Sequence, residues 1–565
     1  MTDGAGHRSR QLGFDTADAV SGFREAIVEW ILPFIEAWSS GGPQPLVSDA
    51  EGEALRELVR LRDTAVPEGY AWLPSLLERL ATAMRFNRQN FVNIHPTPFV
   101  PAIAATVAVA LQNPNNIVPD VSRATTALEQ ECVRWMASLV GFDPDMSWGN
   151  VVSGGTIANI TALLVARDYT YRKLGRPRPA DVRTRGLFER SPGVVLASAG
   201  SHYSVKKAAW ILGIGDENVV TIPVAYDEVA KSREARDAMF IAGVTDPTWR
   251  DLLHDWIRVD RERGAAELEA FYDGGSQPFS LQPLNSEIFK AMYACFTYGT
   301  PLIAYVFTLG TTDTGTIEMP ESEALRLLAA EDVFVHADAA AGGFALMHEH
   351  VASRARGLEG VHSVALDAHK LGQLAYPNGA IVFRDRGWVY EIMHEAPYLS
   401  GLAPTIEGSR WGGSSAALWA AIQDLGLSNR YTRWLDRIFQ FVEALVEEFG
   451  ASGEFQVLHH VHLTSVAVAP RAQGNETRRE LNTHVLRVHD RVRQDTRPDA
   501  FLVNIDRGLA GVKVRNAPGS ASDGELSDIY CWRIVAANPA VEPSDAATLV
   551  NYLREQLEIV RSECE

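Results

Sequence analysis

The spacing of apolar positions changes character along the chain. From about residue 15 to 90 apolar side chains recur at helical intervals: Phe23, Ile27, Trp30, Ile31, Phe34 and Ile35, then Leu55, Leu58 and Leu61. Residues 1–12 ahead of them read as a frayed tail. Two more helices are predicted between 97 and 140, parted by Asn113-Pro114-Asn115-Asn116 and Pro119-Asp120. The second carries Leu128, Cys132, Trp135, Met136 and Leu139 and stops at Gly141. Short apolar runs then alternate with helical spacing. Val151-Val152, Val194 to Ala197, Leu302 to Leu309, Val333 to Ala337, Val364 to Leu366 and Ala380 to Phe383 read as buried strands. That alternation predicts an α/β fold with a mostly parallel sheet and helices on both faces. A charged, helix-like stretch at about 225–290 interrupts it and reads as an insertion. Beyond 400, Phe455 to Val468 and Asp528 to Val535 are strand-like, and a helix from Ala546 to Val560 closes the chain. The expected layout is a helical N-terminal segment (1–125), a large domain (126–400) and a small α+β C-terminal domain (401–565).

Composition narrows the function classes. A chain of 565 residues is too long for one simple core. The net charge of −19 argues against a nucleic-acid groove, which needs clustered Lys and Arg. The first ten residues lack the apolar core of a signal peptide, and no uncharged apolar run approaches the roughly 20 residues that span a bilayer. The expectation is a cytoplasmic protein with neither a nucleic-acid nor a membrane partner. Cys132, Cys295, Cys531 and Cys564 are scattered, which fits buried thiols rather than a disulfide framework or zinc site. His348-Glu349-His350 and the cluster His459, His460, His462 lack metal-ligand spacing, so no metal is expected.

The candidate chemistry lies where strands end, because ligands of open α/β sheets bind outside the carboxyl ends of parallel strands. Asp338 follows the run Val-Phe-Val-His-Ala, and Lys370 ends Asp367-Ala368-His369-Lys370. A carboxylate beside a buried strand requires a cationic partner. A lysine amine can bond to an aldehyde, and a protonated pyridine nitrogen can pair with the carboxylate. Together they suggest a pyridoxal phosphate site. Ala339, Ala340 and Ala341 leave room for a flat ring. Ser153-Gly154-Gly155-Thr156 opens a helix whose free N–H groups suit a phosphate, although on its own the motif reads more simply as a tight turn with a threonine cap. Ser201-His202-Tyr203-Ser204 follows another strand, where His202 is either a ring-stacking imidazole or a polar loop histidine. Gly310 to Gly315, with Thr312, is a hydroxyl-rich turn facing the same crevice. Tyr398 lies on a loop after the sheet, as a proton donor or a surface aromatic. Trp148, Phe91 and Phe99 could wall an aromatic pocket, although core packing is the plainer reading of each, and Arg85 or Arg88 could meet an acidic side chain or be solvated helix charges.

Taken in order, Ser-Gly-Gly-Thr, Ser-His-Tyr-Ser-Val-Lys-Lys-Ala, His-Ala-Asp-Ala-Ala-x-Gly-Gly and Asp-Ala-His-Lys resemble the group II pyridoxal-phosphate-dependent amino acid decarboxylases. Ala124 to Glu129 is similar to that family's Thr-Glu-Leu-Glu segment, and Asn93-Ile94-His95-Pro96 to its early substrate-side segment. The resemblance covers about 90–415. The interval of 136 residues between His202 and Asp338 (338 minus 202) is closer to bacterial tyrosine decarboxylases. It implies a fold-type I enzyme with a seven-stranded sheet, bound to pyridoxal phosphate and assembled as a homodimer with shared sites. Lys370 would carry the cofactor, Asp338 hold its ring nitrogen, His202 stack on the ring and Ala340 pack beneath it. Gly155, Thr156 and His369 would hold the phosphate, with Thr312 beside them and Ser414 reaching the partner's phosphate. Tyr398 would donate a proton, and His95 and Thr126 would face an aromatic, tyrosine-like substrate. Two departures stand out: Asp367 where Asn is frequent, and Ala127 in place of the family's Glu. Alternatives within the cofactor class are a carbon–carbon lyase of the sphingosine-phosphate lyase type and an aldehyde-forming relative.

Overall fold

The computed structural model describes residues 17–563 apart from 41–48, 61–64, 68–69, 82–88, 96, 111, 175–181, 183–185, 188–191, 226–233, 276, 396–401, 404, 428–429, 496, 498–499, 517–525 and 539. The chain divides into two compact units. One comprises Met1–Asn90 with Gln494–Leu502, and the other Phe91–Arg493 with Val503–Glu565.

The first unit is helical. Its core joins Ala26, Trp30, Phe34, Leu55, Val59, Leu73 and Leu77. The apolar spacing singles out Ile27, Ile31 and Ile35 as well, yet Ile35 is 47% exposed and the buried stripe runs Ala26-Trp30-Phe34. The π-helical turn Ala26–Ile31 adds a residue to the turn and rotates the stripe.

The second unit is built on a seven-stranded sheet. Its strands are β1 (Trp148–Val152), β2 (Val194–Ser198), β3 (Val219–Ile222), β4 (Leu302–Thr308), β5 (Phe334–Ala339), β6 (Ser363–Asp367) and β7 (Gly379–Phe383). Their order is β1-β7-β6-β5-β4-β2-β3. The five strands from β6 to β3 run parallel, and β7 is antiparallel to both its neighbours. Every residue of β4, β5, β6 and β7 is buried, which is why these strands read as continuous apolar runs. The edge strand β3 (Val-Val-Thr-Ile) is buried only at its two ends, and its short, half-exposed pattern carries no clear periodic signal. The helix Gly155–Lys173 packs Ala158, Ile160, Ala162, Leu163, Val165 and Ala166 into the sheet's core.

A second sheet contains β8 (Phe455–Val457), β9 (Ser465–Pro470), β10 (Leu502–Asp506) and β11 (Cys531–Val535), in the order β10-β11-β9-β8 and with antiparallel pairing among them. The helix Pro247–Tyr272 lies in the segment that reads as an insertion. Asp246 caps it by accepting from the N–H groups of Thr248 and Trp249, and Pro247 occupies its first turn. Its Leu268 and Phe271 pack with Leu458, Ala467 and Ala469 at the second sheet. Among the described residues no helix is long and apolar enough to cross a membrane.

Candidate active site

The parallel strands deliver their chemistry to one cavity of about 430 Å³. Asp338 comes from the end of β5, and Asp367, His369 and Lys370 from the end of β6. Thr308, Gly310 and Thr312 come from the end of β4 and the turn after it, His202 follows β2, and Gly154 to Thr156 follow β1. His95 and Tyr376 close one side; Arg533 and Val535 of β11 and Ser465 of β9 close another.

The Asp338 carboxylate accepts from Asn159 Nδ2 at 2.7 Å and from the Ala340 N–H at 3.1 Å. Both donors are neutral, and among the described residues Asp338 makes no ion pair. Asn159 is itself oriented: Nδ2 also reaches Ser204 Oγ at 2.8 Å, and Oδ1 meets His336 Nε2 at 2.9 Å. His336 is anchored on its other nitrogen by Ser363 Oγ at 2.8 Å. Burial pushes the His336 imidazole down to about 4, against the pull of Asp338. It is neutral at physiological pH and leaves the Asp338 charge uncompensated. The Ser204 hydroxyl continues the chain to His202 Nδ1 at 2.8 Å. Burial lowers His202 as well, outweighing Asp338.

Lys370 Nζ lies 3.2 Å from Asp367 Oδ2, and His369 Nε2 lies 3.4 Å from the same oxygen. His369 Nδ1 accepts from the Asn378 N–H at 3.2 Å, so the ring proton sits on Nε2, facing Asp367. Burial pushes the Asp367 carboxyl up, but the His369 hydrogen bond and the Lys370 charge outweigh it and hold it low. His95 is lowered by burial and then by His369 and Lys370. The Tyr376 ring lies 3.9 Å, centroid to centroid, from His369.

The two glycines of the Ser-Gly-Gly-Thr turn answer to close approach. A Cβ on Gly155 would stand 2.9 Å from Asp367 Oδ2 and 3.1 Å from the Ala340 Cβ; one on Gly154 would stand 3.2 Å from His369 Cε1. The first turn of a 19-residue helix thus presses against the floor of the cavity with its N–H groups directed at it. Glu318 sits behind β4, fully buried. It accepts from Ser198 Oγ at 2.7 Å and from the Thr308 N–H at 3.1 Å, and burial, with Asp338 nearby, pushes it up to about 8.

Of the residues singled out from sequence, the cavity gathers His95, Gly155, Thr156, His202, Thr312, Asp338, Ala340, His369 and Lys370. Thr126 is not among its lining; its hydroxyl donates to the Ser122 carbonyl at 2.7 Å. Ser414 also lies off it, donating to the Pro377 carbonyl at 2.8 Å. Tyr398 is outside the described residues. Sequence reading missed Asn159, Ser204, Glu318, Tyr376 and Arg533. Arg533 leaves a signal, a lone charged residue within the apolar run Cys531 to Val535. Of the histidines weighed for metal, His459 accepts from the Ala467 N–H at 3.1 Å and His462 from the Ile317 N–H at 3.1 Å.

A sheet of this order, with a buried anion at one strand end, a lysine at the next and a glycine-lined helix start between them, defines a fold-type I site for a flat cationic ring carrying a phosphate. The residues fit pyridoxal phosphate: Asp338 lacks a cationic partner among the described residues, and the Gly154-Gly155 turn forms a cradle that side chains would fill. Sequence comparison agrees. The pyridoxal-dependent decarboxylase conserved domain matches residues 78–239 and 283–469, and the chain belongs to that family, whose cofactor is pyridoxal phosphate. It is 28% identical over 399 residues to the L-2,4-diaminobutyrate decarboxylase of Rhizobium meliloti, covering 70% of this chain and 66% of that one. It is 28% identical over 314 residues to a probable L-tyrosine/L-aspartate decarboxylase of Methanothermobacter thermautotrophicus, covering 54% of this chain and 64% of that one. These matches span just under two thirds of each relative's own length. In three dimensions the chain is similar to the TDC of Oryza sativa, solved with PLP and tryptamine. The TM-score is 0.70 at 17% identity, over 97% of this chain and 99% of that one.

Proposed function

We propose that the chain removes the α-carboxyl group of an L-amino acid as CO2 and releases the amine. The observation that carries this reading is the pairing, in one cavity, of an amine on Lys370 with a buried Asp338 carboxylate that has only neutral donors. Pyridoxal phosphate, when bound, supplies the electron sink into which the breaking bond empties. Lys370 tethers it and moves a proton at the substrate nitrogen. Asp338 keeps negative charge against the ring nitrogen, and Asn159 and the Ala340 N–H fix the direction of that charge. The neutral His202 imidazole offers a flat, uncharged face toward the ring. Thr156 and the first N–H groups of its helix receive the phosphate. Tyr398 is proposed to return the proton to Cα, and Ser414 to reach a partner's site in a homodimer, as the family resemblance implies.

An aromatic, tyrosine-like substrate remains the reading drawn from the chain's layout, and tyrosine is named, together with aspartate, for several relatives, among them that of Methanothermobacter thermautotrophicus. A second reading is favoured by Arg533. Its guanidinium lines the cavity, donates to the Thr312 carbonyl at 2.9 Å, and keeps a buried Nε with no acceptor among the described residues. Its ion pair with the half-exposed Asp313 is long, at 3.6 Å. That cation suits a substrate with an acidic side chain, such as the aspartate also named for that relative. The test is to offer the holoenzyme each common amino acid and L-2,4-diaminobutyrate and to measure CO2 and amine together. Equal yields of CO2 and amine from one of them are expected. No CO2 from any, or aldehyde in place of amine, would overturn the proposal.

A further inference from the structure

A second cavity, of about 380 Å³, lies between the end of the helix Pro247–Tyr272, the start of the helix Arg478–Gln494 and the strand Lys513–Arg515. Its walls carry three arginines, Arg471, Arg478 and Arg515, in a chain of net charge −19. Arg471 donates from Nε to the Phe455 carbonyl at 2.7 Å, and among the described residues its two terminal nitrogens have no acceptor. Arg478 is stranger. Its guanidinium sits 5.3 Å from the centre of the Phe271 ring and has no hydrogen-bond acceptor among the described residues, and its Nη1 is completely enclosed. Burial pushes both arginines below their ordinary value, Arg478 to about 10, with no carboxylate opposing it.

Two carboxylates line this cavity, and among the described residues neither forms an ion pair with its arginines: Asp273 is exposed at the end of the helix Pro247–Tyr272, and Glu476 is already engaged. Glu476 accepts from Arg561 at 2.9 Å, from His484 at 3.1 Å and from the Gln473 N–H at 2.8 Å. The helix start does not supply the anion's donors either, because Asn516 takes the Arg478 and Arg479 N–H groups at 2.7 and 3.0 Å. Gly274, at φ +73°, leaves room for the Arg471 guanidinium, with which a Cβ would collide. A cation enclosed without a counter-charge is costly, and a guanidinium fork matches the oxygens of a phosphate. Of the residues lining the cavity only Gln456 falls within the matched family domain.

We propose that this cavity binds a small molecule bearing a phosphate or pyrophosphate group, gripped between Arg471 and Arg478. The test titrates the holoenzyme, whose cofactor site is filled, with inorganic phosphate, pyrophosphate, ATP and citrate while following the thermal midpoint. Pyrophosphate or ATP should raise the midpoint saturably. Arg478→Gln and Arg471→Gln should each weaken the apparent affinity about tenfold or more, the loss of one charge-assisted hydrogen bond, with turnover unchanged. Arg478→Gln should also raise the midpoint of the anion-free protein, because it removes an unpartnered enclosed cation. Three results would overturn the assignment: no saturable shift with any phosphate probe at millimolar concentration, an undiminished shift in both variants, or citrate acting as well as pyrophosphate.

Discussion

Glu318→Gln tests the electrostatics behind the site with a sign that can be worked out in advance. Glu318 is fully buried, its oxygens meet a serine hydroxyl and one backbone N–H, and no cation faces it among the described residues. Its carboxyl is pushed from 4.5 up to about 8. At about 1.4 kcal/mol for each tenfold change, that rise corresponds to about 5 kcal/mol. Because the folded value is the higher one, the stability is fully present below pH 4.5 and is lost as pH climbs through about 8. Wild type should therefore lose about 1.4 kcal/mol per pH unit across that window, relative to a variant that cannot titrate. Parallel urea unfolding of both proteins, repeated at several pH values, reads the difference. It should shift steadily in favour of the variant as pH rises, then level off above about pH 8. A difference independent of pH, or one that grows toward acid, would refute the claim that Glu318 is kept neutral beside Asp338.

Other consequences are equally direct. Asp338→Asn keeps the size but removes the charge and turns an amide NH2 toward one of the two donors, Asn159 Nδ2 or the Ala340 N–H, so cofactor affinity measured by absorbance titration should fall about tenfold or more. Gly155→Ala places a methyl group 2.9 Å from Asp367 Oδ2 and 3.1 Å from the Ala340 Cβ. Overpacking of about 1–3 kcal/mol should appear as a lower thermal midpoint and looser cofactor binding. His336 should make the fold acid-sensitive. Its folded value of about 4 lies below the ordinary 6.5, so stability is lost as pH falls through that interval, and His336→Gln should flatten the loss in acid unfolding curves.

Much of this was legible because burial and chemistry coincide at strand ends. β4 to β7 are buried at every position, so their apolar runs announce themselves, and the polar residues that terminate them, Asp338 and Asp367 to Lys370, stand out by contrast. β3 stayed hidden because an edge strand of four residues with two exposed lacks both length and period. The N-terminal stripe was displaced because a π turn breaks the 3.6-residue period that the reading assumes. Asn159 was overlooked since a polar residue inside a buried helix declares its purpose only when its partners, Asp338 and His336, arrive from another element. Arg533 reaches the cavity from a strand far beyond Lys370 in the chain, and no local pattern links the two. Glu129 illustrates the same limit. It pairs with Arg410 in a buried ion pair that ties the helix Arg123–Leu139 to the chain beyond the sheet.

Lys370 is proposed to carry the cofactor opposite Asp338. Borohydride reduction of the yellow holoenzyme, followed by proteolysis and mass spectrometry of the peptides, addresses it in one step. A single modified peptide is expected, with the pyridoxyl phosphate mass on Lys370. A label on another lysine, or a protein that takes up the cofactor and yields no labelled peptide, would contradict it.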